Sequence, residues 1–501
     1  MKLIRFAFSF AVGTFLSRIL GFLRDAAIAY YFGASHISDA FFVAFRVPNS
    51  FRRLLGEGGF NAAFVPLYSQ AVEEGREREF LGKIFTLYLV VTSLITFSGV
   101  LLSEYIVSLI APGLRKTETF SLAVFMARFL FLYLLLVGIN AFFMGVLNVK
   151  GRFFIPAITQ GVFNAVFLTV LIILADNAGY KALIVGVLVG GIAQVLINFP
   201  SIIRADVKFS FVFKIDKDVR LLLSRIIPAL GGFGVNQLSL LIDTFLASFL
   251  KTGAISYLYY ANRLYQLPFG IIAVGVANSL LSLLSKSESH KEREITTALK
   301  ITVLLIVPAS TGLIVLSEEI VRTIYGRGFF SERDTLITAG VLSLYSLGLL
   351  PYSLQKVISA EFFSRGDTAT PVKVFLITVL FEGLLGGILA FGMKMGIYGL
   401  PAGTALSSLI GLYFLMRKIS ISFNRKEVGL VFLRSFGAAF VMGVVLLYLK
   451  REINNTLTIL FLGIGVGSTL YFSILFLSGE ILLLHFFKSL VQKKRNSGGS
   501  T

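Results

Sequence analysis

Long apolar stretches separated by short polar segments run along the whole 501-residue chain. A helix of about 20 apolar residues is long enough to cross a bilayer. The pattern therefore predicts an all-α polytopic membrane protein without a soluble domain. We predict fourteen spans, near residues 3–31, 40–70, 82–111, 121–148, 155–175, 181–202, 222–250, 256–285, 297–317, 335–363, 370–392, 397–416, 428–449 and 456–487.

Composition supports this class and narrows the chemistry. The chain is 56% hydrophobic, carries a net charge of +19 and has no cysteine. Lysine and arginine are concentrated in alternate connecting segments, and this positive-inside bias places both termini in the cytoplasm. The excess charge is then an orientation signal, and no nucleic-acid partner is expected. Without cysteine no disulfide is expected, and because the three histidines lie far apart in the sequence, no firm metal site is expected either.

An internal repeat is indicated when the chain is compared with itself at an offset near 217 residues. Asp25 and Ala29, for example, fall on Asp243 and Ala247. Six helices per copy give both copies the same orientation, with a pseudo-twofold axis along the membrane normal and a cavity between them. The predicted parts are an N-lobe at 1–220, a C-lobe at 221–418, two additional helices at 419–490 and a polar cytoplasmic tail at 491–501.

Charged residues inside the first two spans are the main lead to function. A cation at the bilayer centre costs about 2.5–3.5 kcal/mol on insertion scales, so such residues are expected to face a cavity or a partner. On each helix the polar positions fall on one arc. They are Arg18, Gly21, Arg24 and Asp25 on the first helix, and Asp39, Arg46, Pro48, Arg52, Arg53 and Glu57 on the second.

Two interpretations of these charges remain open. The charges pair internally, Arg53 with Glu57 and Arg46 with Asp39, or the set binds an anion. Five arginines face three acids, so the acids alone do not balance the charge, and guanidinium groups suit phosphate. Arg263 offers a further cation from the second half, at the position that the offset matches to Arg46.

These considerations sort the candidate residues into two groups. The predicted substrate-binding residues are Arg18, Arg24, Asp25, Asp39, Arg46, Arg52 and Arg263. The predicted structural or gating residues are Gly21, Pro48, Arg53 and Glu57.

Two acids in apolar surroundings, Asp243 and Glu382, form a separate candidate site with Thr404. Carboxylates and a hydroxyl are suitable ligands for Na⁺, and buried acids also relay protons. The alternative is that both acids are protonated and only make helix contacts. Apart from this possible Na⁺ or H⁺ coupling, no cofactor is expected, and no nucleotide-binding loop is present in the sequence.

Several motifs carry a family resemblance. They are the run Ser17-Arg18-Ile19-Leu20-Gly21-Phe22-Leu23-Arg24-Asp25, the run from Asp39-Ala40-Phe41 to Arg46-Val47-Pro48-Asn49, and Tyr259-Tyr260-Ala261-Asn262-Arg263. They resemble the MurJ (MviN) family of lipid II flippases, within the multidrug/oligosaccharidyl-lipid/polysaccharide exporter superfamily. The resemblance covers essentially the whole chain, including the two additional C-terminal helices.

The resemblance implies a non-enzymatic transporter of the bacterial inner membrane. Its substrate would be undecaprenyl-pyrophosphate-linked disaccharide-pentapeptide, moved from the cytoplasmic to the periplasmic leaflet for peptidoglycan synthesis. The cavity arginines implied by the family are Arg18, Arg24, Arg52 and Arg263, with Asp25 and Asp39 alongside. Glu382 departs from the smaller acid or uncharged group expected there, which leaves the coupling ion open.

The expected mechanism is alternating access, in which one lobe rocks against the other around a cationic cavity that holds the diphosphate. The expected partners are lipid II, membrane lipids and the cell-wall synthesis machinery, and the chain is expected to be a monomer. One alternative is an ion-coupled exporter of another lipid-linked oligosaccharide or of small amphiphiles. Another is a scaffold that transports nothing.

Overall fold

The structure is a computed structural model that describes residues 2–56, 59–285 and 290–480, without the side chains of 2–15, 53–56, 59 and 227–236. These residues form helices and no strand, which confirms the all-α prediction. Within them, ten helices are long and apolar enough to cross a membrane. An eleventh candidate is the pair Glu332–Leu347 and Leu349–Ser364, which is bent by 44°.

The other three predicted spans also coincide with helices. The first lies in Lys2–Phe32, the second overlaps His36–Gly56 and Gly59–Glu73, and the seventh overlaps Lys217–Ala247, which ends before the predicted end at residue 250. The number fourteen therefore stays a prediction. Pro48 lies inside a helix that continues to Gly56, so it does not break the second span.

The helices fall into two compact units. Unit 1 is Met1–Tyr257 with Arg327–Asp334, and unit 2 is Leu258–Gly326 with Thr335–Thr501. The predicted lobe boundary at residue 220 remains untested. Unit 1 contains α1 (Lys2–Phe32), α2 (His36–Gly56), α3 (Gly59–Glu73), α4 (Glu77–Leu101), α5 (Ser103–Ile110), α6 (Glu118–Leu130), α7 (Leu132–Val149), α8 (Phe154–Ala178), α9 (Lys181–Arg204) and α10 (Lys217–Ala247).

One helix, α11 (Ala254–Pro268), begins in unit 1 and continues in unit 2. A π-helical turn at Phe269–Ala273 follows it. The remaining helices are α12 (Val274–Leu284), α13 (Lys291–Val315), α14 (Ser317–Tyr325), α15 (Glu332–Leu347), α16 (Leu349–Ser364), α17 (Ala369–Gly387), α18 (Gly399–Lys418), α19 (Arg425–Glu452) and α20 (Thr456–Leu477).

Close packing of α8 against α1 and α9 places the polar groups of unit 1. A side chain at Gly161 on α8 would lie 3.6 Å from the Ser17 Cα on α1. Gly186 on α9 has no room for one, since its Cβ would come within 2.3 Å of the Phe167 ring. Small residues at such points let membrane helices approach closely enough for side-chain hydrogen bonds between them.

A buried lysine fixes the connection between α9 and α10. The segment at residues 205–216 is not helical, and its end lies beside the first turns of α4. There the Lys83 ammonium contacts the carboxylates of Glu79 at 2.9 Å, Asp218 at 3.3 Å and Asp216. Only 1% of the Lys83 side chain is exposed. The ion pairs therefore hold this connection against α4.

A similar contact occurs in unit 2 at Lys300, which follows Lys83 by the predicted offset of 217 residues. The Lys300 ammonium lies 3.2 Å from Glu427 and 3.8 Å from Glu480. Glu427 is in the first turn of α19, where the Asn424 side chain caps the helix by accepting a bond from the Glu427 N–H. Lys83 on α4 thus contacts the start of α10, and Lys300 on α13 contacts the start of α19 and the residues that follow α20.

The two lysines differ in burial, and this difference predicts a difference in stability. Lys83→Met removes a buried ammonium shared by three acids that are 55%, 24% and 22% exposed. Water can solvate these acids in part, so the cost is expected near the lower end of the range of about 3–5 kcal/mol for a broken buried ion pair. Lys300 is 14% exposed and has one exposed partner, Glu427, and one buried partner, Glu480, which also lies 3.5 Å from Arg434. Because Glu480 keeps this second cation, Lys300→Met is expected to cost about 1 kcal/mol. The midpoint of thermal unfolding of the purified protein should fall further for Lys83→Met. An equal or larger fall for Lys300→Met would contradict this account.

Candidate functional site

Arg24 is held inside unit 1 by one acid and one amide. Its Nε and Nη2 donate to Asp25 Oδ1 at 3.1 and 2.6 Å, and its Nη1 donates to Asn164 Oδ1 at 3.0 Å. The guanidinium carbon also lies 5.6 Å from the centre of the Phe167 ring. Arg24 is 7% exposed and Asp25 is fully buried. The internal pairing considered for these charges therefore occurs, but between Arg24 and Asp25.

Arg52 on α2 is oriented by two amide oxygens. Its Nε donates to Asn49 Oδ1 at 3.0 Å, and its Nη1 donates to Gln160 Oε1 at 3.1 Å. Asn49 lies one turn before Arg52 on the same helix, whereas Gln160 comes from α8. The predicted residues Arg24 and Arg52 are thus both connected to α8, through side chains one turn apart.

Asp39 caps the start of α11. Its Oδ2 accepts a bond from the Gly253 N–H at 2.6 Å, and its Oδ1 accepts bonds from the Ser256 N–H at 2.8 Å and the Ser256 hydroxyl at 2.6 Å. The first N–H groups of a helix have no partner within it and favour a negative charge. The structure therefore supports a helix-capping role for Asp39, whose two carboxylate oxygens accept bonds from Gly253 and Ser256.

The remaining predicted binding residues, Arg18, Arg46 and Arg263, are described by their helix and their burial. Arg18 is exposed on α1, and Arg46 is half-buried on α2. Arg263 is half-buried on α11 in unit 2. The Arg53 side chain and the whole of Glu57 lie outside the described residues, so the predicted pair of these two stays a prediction. Gly21 is buried on α1, one turn before Arg24.

Two of the three predicted ion-site residues, Glu382 and Thr404, are in contact within unit 2. In unit 2, the Thr404 hydroxyl on α18 donates to Glu382 Oε1 on α17 at 3.0 Å. Glu382 is 4% exposed. Asp243 is also buried, but it lies on α10 in unit 1. In the described part of the chain, no three His, Cys, Asp or Glu residues are grouped as metal ligands.

Amides on α8 and α9 were missed by the sequence analysis. Behind Gln160, the Gln194 Nε2 donates to the same Gln160 Oε1 at 3.5 Å, and the Tyr133 hydroxyl donates to Gln194 Oε1 at 3.2 Å. Next to them, Asn198 Nδ2 donates to Asn140 Oδ1 at 2.7 Å. The available signal was the presence of uncharged amides inside apolar spans, where each needs a hydrogen-bond partner.

The fold and these buried groups define a class of protein. Ten or more apolar helices make the chain a multi-pass membrane protein. Charged and amide side chains held inside such helices are expensive to bury and generally mark the pathway of a transported solute. The class is that of helical membrane transporters.

Comparison with known proteins identifies the family. The family model described as "Lipid II flippase MurJ" matches residues 28–467. A probable lipid II flippase MurJ of Aquifex aeolicus (strain VF5) is 41% identical over 487 residues, 96% of each chain. One from Buchnera aphidicola subsp. Baizongia pistaciae (strain Bp) is 33% identical over 92% of this chain and 93% of its own. The chain belongs to the MurJ family, which confirms the resemblance.

Solved structures agree with this assignment. A lipid II flippase MurJ in an inward closed conformation matches with a TM-score of 0.84 and 31% identity, over 95% of this chain and 99% of that one. An inward-facing multidrug resistance MATE transporter of the MOP superfamily matches with a TM-score of 0.69 and 15% identity, over 83% and 95%. The second match shows a shared fold alone.

The Asp39 cap gives a prediction about local stability. Asp39→Asn keeps one acceptor oxygen but puts an NH₂ donor in place of the other, so the N–H group of either Gly253 or Ser256 loses its acceptor. A buried donor left without a partner costs about 1 kcal/mol or more, which is at least about a fivefold change in an opening equilibrium. Hydrogen exchange followed by mass spectrometry should show faster exchange in peptides covering residues 253–257.

Ser38→Ala is the matched control, because Ser38 contacts the Ser256 hydroxyl at 2.9 Å while the Asp39 carboxylate is unchanged. Its effect on exchange at residues 253–257 should be much smaller. If Asp39→Asn leaves exchange in these peptides at the wild-type rate, the capping role is wrong.

Proposed function

We propose that the chain moves lipid II, the undecaprenyl-pyrophosphate-linked disaccharide-pentapeptide, from the cytoplasmic to the periplasmic leaflet of the bacterial inner membrane. The observation that carries this proposal is membership of the MurJ family at 41% identity over 96% of the chain. Arginines on α1, α2 and α11 support it chemically, because guanidinium groups bind diphosphate through paired charge-assisted hydrogen bonds. Transport of this kind needs no covalent step from the protein.

The proposed binding residues have different tasks. Arg52 and Arg18 present positive charge from unit 1, and Arg263 presents it from α11. Arg24 is engaged by Asp25, so its contribution to a ligand is a directed N–H group more than net charge. Alternating access then exposes the headgroup on each side in turn, with both chain termini in the cytoplasm.

The polyprenyl tail is proposed to stay in lipid beside the two additional helices. An apolar groove lies there between α13 and α19, lined by Thr311, Phe436, Phe440, Gly443 and Leu447. An inside-negative membrane potential opposes return of the bound anion, by about 2.3 kcal/mol per charge per 100 mV. We further propose that the chain acts as a monomer and delivers its substrate to the cell-wall synthesis machinery.

Removal of charge at the proposed site should strongly reduce export. Arg52→Gln and Arg263→Gln keep a polar side chain but remove a charge, and loss of one charge-assisted hydrogen bond costs about 1.5–3 kcal/mol. Externally accessible lipid II should fall at least about tenfold for each, when measured in cells depleted of their own flippase and supplied with this protein.

Arg128→Gln is the matched control, because Arg128 is exposed in the last turn of α6. This variant should restore accessible lipid II like the wild type, at equal amounts of membrane-inserted protein. Normal export by Arg52→Gln and Arg263→Gln would contradict the cationic site. Failure of the wild type itself would favour an exporter of another lipid-linked oligosaccharide or a scaffold.

We also propose that Glu382, Thr404 and Asp243 couple transport to Na⁺ or H⁺. Support comes from the buried Glu382 carboxylate and its bond from Thr404. Glu382→Gln retains an acceptor for the Thr404 hydroxyl and removes the ionisable group. The flipping rate in vesicles should then lose its dependence on the Na⁺ or pH gradient, whereas an unchanged dependence on both gradients would rule this role out.

A further inference from the structure

Two amide residues on one face of α8, Gln160 and Asn164, each hold one of the candidate arginines. They lie four residues apart, which places them one above the other on a helix. Gln160 accepts from Arg52 of α2, and Asn164 accepts from Arg24 of α1. A single turn of α8 is therefore the common support of two guanidinium groups that come from different helices.

A second hydrogen bond orients each amide, a close one of 3.0 Å for Asn164 and a long one of 3.5 Å for Gln160. Asn164 Nδ2 donates to the Ser17 carbonyl oxygen at 3.0 Å, so its oxygen must face Arg24. The Gln160 oxygen accepts from both Arg52 and Gln194, and Gln194 is itself 1% exposed and bonded to Tyr133. The two arginines are thus held by acceptors that cannot easily turn away.

The chemistry of the acceptor matters for a site that binds anions. A carboxylate would orient a guanidinium equally well, but it would also cancel its charge. An amide oxygen orients the guanidinium and adds no negative charge, so it does not itself repel an anionic ligand at that point. Precise placement is also needed, because a binding group that is about 1 Å too loose loses much of its effect.

We propose that Gln160 and Asn164 are positioning residues of the diphosphate site, which orient Arg52 and Arg24 and add no negative charge of their own beside them. The inference rests on the proposed function and deepens it. It assigns to α8 a role in recognising a lipid diphosphate, although α8 itself contributes no charged side chain within its membrane-spanning part to that site.

Substitutions at Gln160 distinguish positioning from structural support. Gln160→Glu gives Arg52 a stronger partner, so the protein should be at least as stable as the wild type, but the added charge should reduce anion binding at least tenfold. Gln160→Met removes the acceptor, so it should lower stability and reduce binding by a smaller factor. Stability and affinity are therefore expected to rank these variants in different orders.

The experiment uses the purified full chain and farnesyl diphosphate as the probe, with farnesol as the uncharged comparison. Binding is measured by calorimetry and stability by the thermal unfolding midpoint. Asn164→Asp should likewise weaken farnesyl diphosphate binding more than farnesol binding. Thr159→Val is the control, since the Thr159 hydroxyl bonds only to carbonyls of its own helix, and it should bind both probes like the wild type.

The outcomes separate this inference from the proposed function. If the wild type does not bind farnesyl diphosphate more tightly than farnesol, the diphosphate site itself fails. If the wild type binds and Arg52→Gln does not, but Gln160→Glu binds as tightly as the wild type, the site stands and the positioning role is overturned. The positioning role is also overturned if the variant that is less stable, Gln160→Met or Gln160→Glu, is also the one that binds farnesyl diphosphate less tightly.

Discussion

The structure of unit 1 depends on how guanidinium groups are satisfied inside apolar helices. A charged group at this depth is costly, and the cost falls only when hydrogen-bond acceptors are already in place. Asp25 supplies one acceptor from α1 itself, and Gln160 and Asn164 supply others from α8. The close approach of α8 to α1 at Gly161 brings Asn164 within reach of Arg24. The contacts that pack α8 against its neighbours are therefore the same contacts that orient the arginines of the candidate site.

The general architecture could be read from the sequence because it depends on simple physical rules. Apolar runs of sufficient length predicted the helical membrane class, and ten such helices meet the length and composition required. Arg24 on α1 was predictable as a charge that needs a partner, and the Glu382–Thr404 contact was predictable because both are polar residues in adjacent spans. The recurrence of a lysine contact at Lys83 and Lys300 agrees with the offset of the predicted repeat.

The partners of the charges were harder to predict, because they depend on contacts between distant parts of the chain. Pairing of Asp39 with Arg46 on its own helix was one of the two open interpretations, and the structure shows Asp39 bonded to Ser256, 217 residues away. Asn164 and Arg24 are 140 residues apart. Glutamine and asparagine have no periodic pattern that distinguishes a partner of arginine from an ordinary buried amide. Local spacing therefore identified the cations but not what orients them.

The central claim is that intramembrane arginines, oriented by amides and a neighbouring acid, bind a lipid diphosphate for transport. The most direct measurement places the purified chain and lipid II in sealed vesicles and follows the fraction of lipid II that an added, membrane-impermeant reagent reaches from outside. The account predicts that wild-type protein speeds this exposure and that Arg52→Gln, inserted in equal amount, does not. Equal rates for both proteins would contradict the claim.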